Sequence, residues 1–156
     1  MDNPKVEMRT CRFGNGVFAK AKIHTGETIA SFDGKIYEND STEWDDPTLH
    51  DYLADHVIQF APKRWRHSNG IAIMVNHSCE PNCGIKNLFD IVAMRDVASG
   101  EEINWDYEMA ENSDKWRMQC QCNNPACRKL IGKFDNLPKE LKKKYEGFIS
   151  EWLLKS

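Results

Sequence analysis

The chain has 156 residues, 40% hydrophobic and 29% charged, with a formal net charge of −3. That composition suits one globular domain and excludes wholesale disorder, a strongly basic nucleic-acid binder and a membrane span, which needs roughly 18–20 consecutive apolar residues. Residues 1–11 are polar and charged and lack a signal-peptide core, so an intracellular protein with no membrane partner and no direct nucleic-acid binding is expected.

In chain order, residues 17–23 alternate apolar and polar and predict a strand, which ends at His24-Thr25-Gly26. Residues 27–32 predict a second strand, stopped by Asp33-Gly34. The phrase from Ile23 through Gly26-Glu27 to Ile29 returns from Val97 through Gly100-Glu101 to Ile103, and each copy reads as strand, tight turn, strand. Residues 38–55 carry seven carboxylates and no Lys or Arg; they predict irregular chain or a short helix, with Pro47 as a breaker. Strands are predicted over 52–60, 70–75 and 88–94, with a basic loop at 62–67. A second acidic stretch, 101–114, holds six carboxylates, again without Lys or Arg. After Pro138, the residues Leu141, Tyr145, Phe148, Ile149, Trp152 and Leu153 recur at helical spacing and predict one amphipathic helix. The expected fold class is mostly β, built from hairpins and small sheets, with short helices.

The six cysteines, at 11, 79, 83, 120, 122 and 127, read as metal ligands or reactive groups rather than as a disulfide framework. Cys120, Cys122 and Cys127 form a C-x-C-x₄-C loop, three thiols in a polar segment that makes poor core. A tetrahedral zinc site needs a fourth ligand, for which Cys79 and Cys83 are the candidates, and a four-cysteine site is closed and structural. Asn76-His77-Ser78-Cys79 follows an apolar run; alone it allows a polar turn or a cysteine nucleophile beside a histidine. Gly14-Asn15-Gly16 before the first strand allows a hairpin turn or close approach of a ligand to the backbone, and it lacks the remainder of a dinucleotide fingerprint. Alternation puts Ile103, Trp105 and Tyr107 on one face.

Taken together and in order, G-x-G-V-F-A, N-H-S-C-x-P-N, G-E-E-I-x-aromatic-D-Y and C-x-C-x₄-C-R resemble a SET-domain protein lysine methyltransferase with a post-SET zinc loop, over residues 11 to about 132. The resemblance implies small curled sheets with a knot-like threading, divided as a SET domain at 11–110, a zinc loop at 111–132 and a C-terminal helix at 133–156. It implies S-adenosylmethionine as methyl donor and one structural Zn²⁺, held by Cys79, Cys120, Cys122 and Cys127, which makes Cys79 the fourth ligand in preference to Cys83. Tyr107 would be catalytic. Gly14, Asn15, Gly16, Asn76 and His77 would hold the cofactor, with Leu130 on its adenine side, and Phe32 and Trp105 would line the lysine channel. The implied partner is a lysine-containing, basic protein or peptide, with histones among the candidates and the nucleus as the location in that case. The acidic stretches would flank its groove. Trp105 stands where the family usually has Phe or Tyr, Ile73 stands where many chromatin-directed members carry Arg, and there is no cysteine-rich segment before the domain. The competing reading is a zinc-stabilised cofactor- or peptide-binding module without turnover; a cysteine hydrolase built on Cys79 is a third.

Overall fold

A computed structural model describes residues 2–12 and 14–155. Its main sheet starts with a hairpin of β1 (Val6–Cys11) and β2 (Gly14–Ala19), paired antiparallel from Val6↔Ala19 to Cys11↔Gly14. Gly14 takes a φ of +95°, the left-handed region in which a side chain is strained. Strand β3 (Thr28–Ser31) lies at the far edge of this sheet. A smaller three-stranded sheet has the order β4 (Ile36–Glu38), β6 (Arg64–Arg66), β5 (Ile58–Ala61). The basic stretch 62–67 is therefore half strand, because Arg64–Arg66 pairs on both sides.

The main sheet is completed by β7 (Asn76–His77), β8 (Cys83–Lys86), β9 (Asp90–Ala93) and β10 (Glu102–Trp105), in the order β1-β2-β10-β8-β9-β3, with β7 also on β10. Strand β10 changes partners along its length. Glu102 and Ile103 pair antiparallel with β2, while Asn104 and Trp105 pair parallel with Asn76 and His77. A short hairpin of β11 (Met118–Gln119) and β12 (Leu130–Ile131) frames the cysteine loop. The core gathers the inward residues of these strands: Val17, Ile29, Ile85, Ile91 and Ile103 are all fully buried.

The repeated turn phrase has a structural counterpart. Ile23 and Val97 bridge each other, and Gly26 and Gly100 take φ values of +90° and +93°. In each turn the glutamate after the glycine accepts from a backbone N–H three residues earlier, Glu27 from His24 and Glu101 from Ala98, both at 2.6 Å.

Four expectations are corrected. Pro47 starts a helix, α1 (Pro47–His56), instead of breaking one; Asp46 caps it by accepting from the N–H groups of Thr48 and Leu49. Residues 52–56 thus belong to α1, and the strand predicted over 52–60 shrinks to β5. The run 70–75 is a 3₁₀ turn (Ile71–Met74), not a strand; the Ile71 N–H bonds to the Asp2 carboxylate, and a short apolar run carries no periodicity to distinguish the two. The C-terminal helix is two short ones, α2 (Lys139–Lys144) and α3 (Glu151–Leu154). Gly147, at a φ of +87°, follows the first, and three tertiary bonds then keep the chain out of the helix: Phe148 C=O accepts from Ile85, while Ser150 and Glu151 donate to Met109 and Asn87. Tyr145, Ile149 and Leu153 are buried all the same. Among the described residues, no helix is long and apolar enough to cross a membrane.

Candidate active site and metal centre

The sulfur atoms of Cys79, Cys120, Cys122 and Cys127 all lie within 4.8 Å of one another, and those of Cys79 and Cys120 are 3.8 Å apart. A tetrahedron with zinc–sulfur bonds of about 2.3 Å has edges of about 3.8 Å, so the four thiols fit that ion. Backbone N–H groups already point at the sulfurs: Arg128 donates to Cys79 and Cys122 donates to Cys120, both at 3.4 Å. Burial pushes the Cys79 thiol up to about 11; at Cys122 burial is outweighed by hydrogen bonds from Asn124 and other groups, which bring the thiol down to about 6. Cys83 is fully buried in β8, outside the cluster, and Cys11 sits 3.7 Å from the Asn76 amide.

The second feature is an aromatic pocket. Phe32, Trp105, Tyr107 and Trp116 line it, with Ile73 and Val75. The Trp105 and Tyr107 rings are 4.9 Å apart between centroids, and Phe32 meets Trp105 edge-on at 6.3 Å. The Tyr107 hydroxyl donates to the Val75 carbonyl at 2.7 Å, which leaves its oxygen lone pairs to accept. Burial raises the Tyr107 pKa far above the tyrosine range, so the group is a neutral phenol. Trp105 is 4% exposed, and its Nε1–H is buried without a hydrogen-bond partner among the described residues.

Each acidic stretch places one carboxylate in this pocket, Asp55 from α1 and Glu111 from the segment after Tyr107. Burial raises the Glu111 carboxyl to about 7. Trp116, Glu111 and the Val75 carbonyl carried no motif; they reach the pocket from separate segments, which spacing in the chain does not reveal.

Behind Tyr107, Asp106 is fully buried. It accepts from Arg128 Nη2 at 2.9 Å, from the Tyr145 hydroxyl at 3.0 Å and from the Glu108 N–H at 3.0 Å. Arg128 also reaches Glu108 at 3.2 Å, whose other oxygen accepts from the Gly132 N–H at 2.7 Å. Burial raises the Asp106 pKa against the pull of Arg128.

The glycine segment meets Asn76 directly. The Asn76 amide donates to the Asn15 carbonyl at 3.1 Å, and a Cβ on Gly16 would come within 2.6 Å of Glu102 Oε1 and 3.1 Å of Asn76 Nδ2. Gly14 and Asn15 are exposed, so the start of β2 and Asn76 form an open polar edge fit for a polar cofactor; Phe13 lies outside the described residues. The His77 ring faces inward. Its Nδ1 accepts from the Tyr107 N–H at 3.1 Å and its Nε2 is 3.4 Å from Cys79 Sγ, so any cofactor contact falls to its main chain. Burial, and then the Arg128 charge, push this histidine down to about 3. Leu130 is 58% exposed and lines a different hollow, with Arg117, Arg128 and Gly132.

The β-rich domain thus joins a cluster of four thiols that could hold a metal ion to a partly buried tyrosine in an aromatic pocket. The chain belongs to the SET domain family, whose match covers residues 14–108. It is 28% identical over 134 residues to histone-lysine N-methyltransferase trithorax of Drosophila virilis, which covers 76% of this chain and 3% of that protein. Against histone-lysine N-methyltransferase 2B of Homo sapiens it is 27% identical over 136 residues, 79% of this chain and 5% of that one. The chain thus spans a small fraction of the length of these relatives. In fold it is similar to KRYPTONITE in complex with mCHH DNA, H3(1-15) peptide and SAH, with a TM-score of 0.61 and 17% identity over 81% of this chain and 29% of that one.

Proposed function

We propose that this protein transfers a methyl group from S-adenosylmethionine to a lysine ε-amine of a protein substrate. One observation carries the reading: Phe32, Trp105 and Tyr107, drawn from two distant segments, converge on one pocket, and Trp105 pairs in the sheet with His77, next to Asn76. When bound, S-adenosylmethionine supplies an electrophilic methyl group on a sulfonium. The exposed Gly14-Asn15 edge, Gly16 and Asn76 would hold it, with Leu130 toward the adenine.

The nucleophile must be the neutral amine, whereas free lysine, with a pKa of about 10.4, is almost wholly protonated near neutrality. A pocket walled by Phe32, Trp105, Tyr107 and Trp116 disfavours the ammonium form and aligns the nitrogen. Because the Tyr107 hydroxyl donates to Val75, its oxygen is left to accept from the amine N–H, which turns the amine lone pair toward the methyl group. Tyr107 therefore orients the amine as a neutral phenol.

Asp55 and Glu111 border the same pocket; the Asp55 carboxylate raises the encounter rate with a basic peptide, and Glu111, raised to about 7, adds to it as it ionises. The kinship to histone-lysine methyltransferases supports a histone as acceptor, and chromatin as the place of action. Zn²⁺ would be held by Cys79, Cys120, Cys122 and Cys127 and would serve structure alone.

The test is incubation of the zinc-loaded protein with labelled S-adenosylmethionine and histones or fractionated lysate, followed by mapping of the label. Labelled lysine is expected, and Tyr107→Phe should lower kcat by about 10²-fold. Cofactor binding without transfer by the wild type would refute the assignment.

A further inference from the structure

We propose that His77 is a positioning residue: its ring, as the Nε2–H tautomer, ties the Tyr107 main chain to Cys79 of the four-cysteine centre. The inference rests on the reading of Tyr107 as catalytic and of Cys79 as a zinc ligand. A backbone N–H can only donate. The 3.1 Å bond from Tyr107 N therefore requires an unprotonated Nδ1, and the single proton of the neutral ring then sits on Nε2. That nitrogen is 3.4 Å from Cys79 Sγ. A sulfur bound to a metal offers acceptor capacity alone, so the Nε2–H tautomer satisfies both partners at once.

In the opposite tautomer, the Nδ1–H would face the Tyr107 N–H and find no acceptor within hydrogen-bond distance among the described residues. Asp106 Oδ1 lies 3.7 Å from Nδ1, beyond hydrogen-bond distance, and already accepts from the Glu108 N–H and Arg128 Nη2. The imidazole is 2% exposed, so water does not compete. Cys79 thus receives two donors, His77 Nε2–H and the Arg128 N–H, and both residues also hold the Asp106-Tyr107 segment. Groups behind a metal ligand orient it and commonly change metal affinity or activity by about 10–100-fold when removed.

Two measurements test the link. In ¹⁵N-histidine NMR of the zinc-loaded wild type, the His77 signals, identified by their loss in a variant, should show unprotonated Nδ1 and protonated Nε2 throughout pH 6–8. The substitutions separate the two bonds. His77→Asn keeps an acceptor near the Nδ1 position and lacks the donor to Cys79, so zinc should pass to a competing chelator about 10–100-fold faster than from wild type. His77→Gln keeps a donor near the Nε2 position and loses the acceptor, so zinc should be retained while kcat falls about 10-fold at unchanged KM for the cofactor. Equal zinc release from both variants, or a protonated Nδ1 in the zinc-replete wild type, would overturn the link alone. A wild type that binds no zinc would overturn the cluster assignment as well. Where a variant fails to fold, the wild-type spectrum still decides the question once the His77 ring signals are assigned through their correlations to the His77 backbone.

Discussion

Arg128→Met tests the charge arrangement behind the tyrosine. The arginine faces two carboxylates, Asp106 at 0% and Glu108 at 3% exposure, with nitrogen–oxygen distances of 2.8–3.2 Å. Without it, Asp106 keeps the Glu108 N–H and the Tyr145 hydroxyl, Glu108 keeps the Gly132 N–H, and no cation remains among these partners. Breaking a buried pair by removing one partner costs about 3–5 kcal/mol, a large share of a total stability of about 5–15 kcal/mol. For a chain of this length that corresponds to a Tm lower by on the order of 10 °C. The loss should also depend on pH. Without the guanidinium, the raised Asp106 pKa rises further, so the folded variant holds its proton above the pH at which the unfolded chain releases it. Its stability is therefore retained at low pH and lost as pH rises, and the gap from wild type is wider at pH 8 than at pH 5. Calorimetry or thermal circular dichroism at both pH values, in excess zinc, measures this. A Tm within about 2 °C of wild type at pH 8 would show that the carboxylates are not held as charges by Arg128.

Further outcomes follow from the same geometry. Metal analysis should find one zinc per chain, lost in Cys79→Ser and kept in Cys83→Ala, because Cys83 lies outside the cluster. Chelation should unfold the post-SET loop, as loss of hydrogen-exchange protection around β11 and β12 would report. Burial raises the Glu111 carboxyl from 4.5 to about 7, so the folded state is progressively disfavoured as pH climbs between these values. Glu111→Gln should lessen that fall between pH 5 and pH 8 by up to about 3 kcal/mol, read from urea unfolding, and an unchanged fall would refute the burial of this charge. Mass spectrometry of a peptide product should show fewer methyl groups with wild type than with Trp105→Phe, since the indole is the bulkier wall of the pocket; efficient trimethylation by wild type would refute this.

Much of the site was legible because its parts are short and local. The cysteine loop, the Asn76–Cys79 turn and the Trp105-Asp106-Tyr107 segment each carry their chemistry within a few residues, and the structure gathers the four sulfurs with Cys79, not Cys83. The two Gly-Glu turns were readable for the same reason. What was not legible depends on partners distant in the chain. Ile71 is held by Asp2, and the C-terminal helix is broken by bonds from Phe148, Ser150 and Glu151 to Ile85, Met109 and Asn87. Periodicity marked Tyr145, Ile149 and Leu153 as buried yet was blind to those bonds. Asp46-Pro47 was a legible signal, a cap followed by a helix-starting proline, that the acidic setting obscured. Arg128, visible only as the residue after Cys127, gains its role from carboxylates twenty residues earlier in the chain.

Strand β10 joins β2, β7 and β8 through four residues, and none of these partners is its neighbour in sequence. Such pairings form only after long loops have closed, so they delay folding more than local hairpins do. The β1–β2 and β8–β9 hairpins can zip early, but the tyrosine-bearing segment docks only when both are in place. Refolding should therefore be slow and concerted, with the amides of β10 among the last to gain protection. A chain arrested before that step would display two hairpins and no reactive centre.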